Sequence, residues 1–107
     1  MLGVRDTRRV AWRRRHAPQH YVGYVTVTEN SVRLAGTEHH TGIDASLSIP
    51  YTAINRIRLG HDNAEEVVGE RSVVLELRED DPILVRPLCK GAPDLHGFAR
   101  KLRPAQT

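Results

Sequence analysis

Two short polar runs hold the side chains best suited to binding a metal: Glu38, His39, His40 and Asp44 in the first, His61 and Asp62 in the second. If they converged, they could ligate an ion such as zinc. Their spacing argues against it. Adjacent histidines on an extended chain point to opposite sides, and none of these pairs has the i, i+4 helical spacing or the cysteine support of a strong zinc motif. A solvated loop, with no metal, is the expectation. Cys89, the one cysteine, follows Leu88 and has no base beside it in sequence, so it reads as a buried, inert thiol. Serines and threonines scatter over strand-like runs without a nucleophile elbow, and no glycine-rich phosphate loop opens a helix. The chain therefore reads as no enzyme, and no cofactor is expected.

The remaining chemistry is cationic. Residues 1–20 carry six arginines against Asp6 alone, a net +5, so the other 87 residues hold ten basic and twelve acidic side chains, −2, within the overall +3. Any attraction to polyanions belongs to this first segment rather than to the body. The candidate anion- or partner-binding residues are Arg8, Arg9, Arg13, Arg14 and Arg15, joined by Arg100, Lys101 and Arg103 near the other end of the chain. Two structural readings of the segment stay open. It is a loose arm that orders on an anionic partner, or a first strand whose Val10 and Trp12, two apart, cover one end of a core.

A chain of 107 residues with 39% hydrophobic and 27% charged content fits one soluble globular domain rather than a disordered segment. One cysteine excludes an internal disulfide, which fits a reducing compartment. No apolar run approaches the roughly 18 to 20 residues that cross a bilayer, and no signal-peptide core follows the basic start. A cytoplasmic protein, with peripheral membrane contact as an option, is expected.

The elements that would place these residues are organised around Ile49–Leu59. Ile49, Pro50 and Tyr51 end an alternating run that enters with Ile43, Ala45 and Leu47; Thr52 to Ile54 turn; Ile57 and Leu59 then alternate with Arg56 and Arg58. Pro50, lacking an N–H, makes the break. Before it, Tyr24–Thr28 and Val32–Ala35 form a hairpin about Glu29–Ser31, with Val25, Val27, Val32 and Leu34 inward and Thr26, Thr28 and Arg33 outward. Gly60 to Arg71 reads as a long, flexible acidic loop. Ser72–Arg78 and Ile83–Leu88 make a second hairpin around Glu79–Pro82. Leu95, Phe98, Ala99 and Leu102 then switch to helical spacing, in a helix starting near Pro93 and Asp94 and stopped by Pro104.

A hairpin, a strand ending in IPY, the pattern I-x-x-I-x-L, two more strands and a helix with spaced Leu and Phe resembles the pleckstrin-homology superfamily, in its bacterial and GRAM-like branches. The resemblance implies a mainly β fold, a bent antiparallel barrel or sandwich of six or seven strands capped by a C-terminal helix. It would divide the chain into a basic tail (1–9), a domain (10–104, with 10–15 as an optional first strand) and a short tail (105–107). Lipid-binding members carry cations in and beside the first hairpin turn. Taken as Thr28–Ser31, that turn offers Glu29 and no cation, so a phosphoinositide site of that type is not expected. The functional expectation is a non-catalytic interaction module or scaffold. A protein partner ranks first, met along an open strand edge or the groove beside the helix. Anionic lipid, held by the basic segment, ranks second and nucleic acid third; a homo-oligomer is compatible with all of them.

Overall fold

Where the sequence alternates with period two, the chain forms strands, and every strand pair is antiparallel. A computed structural model describes residues 4–89, 91 and 94–104. In chain order these are β1 (Val4–Arg14), β2 (His20–Thr28), β3 (Ser31–Glu38), β4 (Asp44–Pro50), a 3-10 turn (Tyr51–Ala53) and β5 (Ile54–Leu59). A second 3-10 turn (Asn63–Glu65) leads to β6 (Glu66–Val67) and β7 (Glu70–Arg71), then β8 (Val73–Leu77), β9 (Ile83–Pro87) and helix α1 (Leu95–Leu102).

Seven strands form one sheet in the order β4-β3-β2-β1-β9-β8-β5, and β6 pairs only with β7. β4 and β5 are joined by three residues yet stand at opposite ends of that order. At about 4.8 Å per strand, a flat sheet would hold its edges roughly 29 Å apart, whereas so short a link reaches about 10 to 15 Å. The sheet therefore curls into a half-barrel. Inside the curl lie Val10, Trp12, Val25, Val27, Val32, Leu34, and from the other half Val73, Leu75, Ile83 and Val85. Trp12 is nearly fully buried, stacks on Tyr21 at 4.5 Å, and donates its indole N–H to the Ala35 carbonyl at 3.1 Å. Gly23 permits close approach of β2 and β3, because a Cβ there would collide with the Ala35 carbonyl and Gly36.

α1 closes one end of the curl. Asp94 caps it, its carboxylate accepting the Gly97 N–H at 3.0 Å. Gly97 leaves room for that cap, since a Cβ there would strike the Asp94 carboxylate. Phe98, Ala99 and Leu102 are buried and Leu95 is partly buried, the helical stripe expected from their spacing. The Tyr51 hydroxyl donates to the Leu102 carbonyl at 2.7 Å, which ties the end of the helix to the β4–β5 turn. Pro93 lies outside the described residues, as do residues 1–3 and 105–107 of the expected tails.

Several expectations are corrected. The first segment is a strand in the middle of the sheet, beginning at Val4 rather than Val10, paired with β2 along its length and with β9 from Val10 to Arg14. Residues 4–9 are thus strand, not tail. The first hairpin is consequently β1–β2, and its turn opens with Arg15 and His16, directly after Arg14 at the end of β1. Gly60 to Arg71 is an ordered cover, because Glu65 and Val67 are buried and Val67 packs with Ala11, Val74 and Leu84 on the outer face of the sheet. Thr28 is buried because its hydroxyl binds the hairpin turn at Ser31. Ile43 is 65% exposed, lying just before β4, an edge strand of the sheet. Cys89 is exposed rather than buried, lying past the end of β9.

Candidate functional site

β5 pairs with β8 alone and so presents its other edge. Along an antiparallel ladder, successive residues direct N–H and C=O to alternate sides. The Gly60 N–H donates to Ser72 on the β8 side at 2.8 Å, which turns the polar groups of Leu59 and Ile57 outward. Two guanidinium groups confirm the direction: Arg103 donates to the Ile57 carbonyl at 3.2 Å and Arg58 to the Leu59 carbonyl at 3.1 Å. Cations on an edge strand are a usual guard against unwanted pairing.

Between this edge and α1 runs a groove of about 770 Å3. Its apolar wall includes Tyr51, Ile54 and Ile57 on the core side. Its polar lining is mostly cationic or imidazole in type, Arg56, Arg58, Arg71 and Arg103 with His61 and His96, and includes the amide of Asn55. Position along β5 separates the two sets, because Ile57 faces the core while Arg56 and Arg58 meet Glu76 on the other face.

Arg58 is held by a built network. It donates both terminal nitrogens to Glu65, at 2.8 and 2.7 Å, and its Nε to Glu76. Glu65, 3% exposed, also accepts from Arg15 at 3.2 Å and from the His61 N–H at 2.9 Å. The Arg58 bonds hold the Glu65 carboxyl down to about 2, against an opposing push from burial. The same bonds, Glu65 first, raise the Arg58 guanidinium, and the Arg58 bond lowers Glu76.

The eight cations picked out from sequence do not form one site. Arg13 is spent on main-chain carbonyls, chiefly those of Glu66 at 2.7 and 3.0 Å and Ala64 at 2.9 Å, and burial lowers its pKa. Arg14 pairs with Asp80 at 3.2 Å, Arg15 with Glu65, and His16 with Asp81. The cations of the first hairpin turn therefore fasten that turn and the 60s segment to the body. Arg8 pairs with Asp6 at 2.9 Å and, with Arg9 and Lys101, lines a separate hollow of about 410 Å3 between β1 and α1. Arg100 is exposed on the helix. Only Arg103 belongs to the β5 groove. Sequence reasoning missed Arg56, Arg58, Glu65, Arg71 and His96 as groove or network residues. The available signal was Arg56 and Arg58 two apart on one strand face, but their partners lie on β8 and in the 60s segment.

The histidines do come together in part. His20 and His39 stack at 4.9 Å and His39 meets His40 edge-on at 5.0 Å. Glu38, beside them, is used as a turn anchor, accepting the His40 N–H and the Thr41 hydroxyl, both at 2.8 Å. Asp62 caps its own 3-10 turn by accepting the Ala64 N–H. Among the described residues, no group of three His, Cys, Asp or Glu side chains could hold a metal ion. Zinc or a chelator is thus expected to leave the thermal melt unmoved, since a native-state ligand must stabilise. A zinc-dependent rise that vanishes on changing His39 and His40 to alanine would reopen the question of metal chemistry.

No family model and no curated protein matches this chain. Among solved structures, the C-terminal domain of an unknown protein from Leishmania infantum is similar, with a TM-score of 0.57 and 19% identity over 79% of this chain and 70% of that one. At that identity the likeness speaks to the fold alone. No helix among the described residues is long and apolar enough to cross a membrane.

Proposed function

We propose that this chain is a non-catalytic interaction module of pleckstrin-homology-like type, cytoplasmic, whose protein partner docks as an extended segment along the β5 edge. The observation that carries this reading is the outward-turned backbone of Ile57 and Leu59 beside a groove walled by apolar side chains and α1. An added strand gains main-chain hydrogen bonds from such an edge and side-chain selectivity from such a groove. Arg103 would have to leave the Ile57 carbonyl and Arg58 the Leu59 carbonyl, so docking is gated rather than indiscriminate. The curled sheet, the terminal helix and the IPY turn support the family resemblance. The arginines of the first hairpin, committed to Glu65, Asp80 and main-chain carbonyls, weigh against a lipid site built there.

Selection from a random peptide library tests the proposal. Enriched peptides are expected to slow amide hydrogen exchange at Ile57 and Leu59, and N-methylation of alternate peptide amides should abolish binding. Protection mapping elsewhere, or a library that yields nothing, counts against it. Submicromolar binding to anionic vesicles at ~0.15 M salt, lost when Arg8, Arg9 and Lys101 are changed to Gln, would favour the membrane reading instead.

A further inference from the structure

The β5 groove has a charge pattern that says more about its occupant. Resting on the edge-docking reading above, we infer that the docked segment alternates apolar with acidic side chains, the apolar set facing α1 and the acidic set facing Arg56 and Arg71. Side chains of an added strand must alternate between the two faces of the sheet, as those of β5 do from Arg56 to Leu59, beyond the irregularity between Ile54 and Arg56. One face offers Ile54, Ile57 and Tyr51. The other offers arginines, and none of the groove's lining residues is Asp or Glu.

The arginines are not equivalent. Arg58 is saturated by Glu65 and Glu76 and is only 18% exposed. Arg56 is 62% exposed and reaches Glu76 at 3.5 Å, a carboxylate that Arg58 already holds. Arg71 is exposed and spends its Nε on the Gly60 carbonyl at 2.9 Å, and among the described residues no ion pair involves it. Arg56 and Arg71 therefore retain donors directed by the fold but weakly neutralised, next to a strand edge. A carboxylate carried past them gains charge-assisted hydrogen bonds. Nucleic acid fits less well. Single strands need aromatic stacking surfaces, and Tyr51, the aromatic side chain in the lining, is half-buried with its hydroxyl bound to the helix end.

The test uses short acetylated peptides of alternating Val and Glu, or of Val and Gln, titrated by fluorescence anisotropy. The Val/Glu peptide is expected to bind about tenfold more tightly at low salt, the equivalent of ~1.4 kcal/mol, with the advantage shrinking as salt rises. In a protein carrying both Arg56→Gln and Arg71→Gln, that advantage should vanish while the Val/Gln affinity stays. Equal affinity of the two peptides overturns the acidic preference and leaves edge docking standing. An advantage that survives the double substitution overturns the role of Arg56 and Arg71. Equal binding by a Glu-rich peptide with proline at alternate positions, which cannot pair as a strand, reduces the groove to a general anion site and also overturns the inference. Binding of neither alternating peptide overturns this inference and the edge-docking reading together.

Discussion

Phe98→Ala is expected to destabilise the protein by ~3 to 5 kcal/mol, the cost of emptying a buried aromatic site. For a domain of this size that lowers the melting midpoint by roughly 15 to 30 °C. Phe98 is 3% exposed and packs with Leu102 into the same cluster as Ile54, Ile57 and Leu75. The helix it anchors has eight residues, too few to persist in water without packing, since isolated helices shorter than about 12 residues are marginal. Loss of the ring should thus undock α1 and remove one wall of the β5 groove. Arg100→Ala, exposed on the same helix, serves as control and should change stability by no more than about 0.5 kcal/mol. A Phe98→Ala midpoint equal to wild type would mean that α1 is no part of the core.

Glu65→Gln should be the next most damaging change, at roughly 3 kcal/mol, because it breaks a buried ion pair and leaves Arg58 with Glu76 as its carboxylate partner. Its signature is in the pH dependence. Glu65 titrates near 2 in the folded chain rather than at its ordinary 4.5. A depressed folded pKa means the contribution is fully present above about 4.5 and drains away as pH falls from there toward about 2. That window is worth on the order of 3 kcal/mol. Urea midpoints measured across it should fall steeply for wild type and more gently for Glu65→Gln. Some slope remains in the variant because Glu76, Asp6 and Asp81 are also depressed and act with the same sign. Identical slopes in the two proteins would sink the assignment of Glu65 as the anchor of this network.

These two predictions draw on parts of the molecule with different legibility in sequence. Phe98 and Leu102 announce themselves through helical spacing, and Val25, Val27, Val32 and Leu34 through alternation across a short polar turn. Each pattern is local, so each reads directly. Glu65 does not. It sits in an acidic run that resembles solvated loop, and only the fold brings Arg58 from β5 and Arg15 from the first hairpin to its two oxygens. β1 was half visible for a similar reason. Val10 and Trp12 mark it, but its arginines resemble an arm until β2 and β9 supply ladders on both sides. Of the groove, the sequence marks Arg103 as a candidate cation and Ile57 and Leu59 as a strand, while Arg56 and Arg71 look like ordinary solvent-facing charge and nothing local shows which strand edge stays open.

The central place of β1 also bears on how the protein is made. On a ribosome, β1 to β4 can pair as each emerges, because sequence neighbours are sheet neighbours there. The second edge of β1 must wait for β9, which emerges only after β2 to β8. For that interval the nascent sheet carries an unpaired strand, the kind of template that recruits other chains. Arg8, Arg9, Arg13 and Arg14 lie on this strand, and their mutual repulsion between copies disfavours such recruitment until β9 arrives. Closure across so long a stretch of chain also places refolding in the slower range of small β domains, milliseconds to seconds.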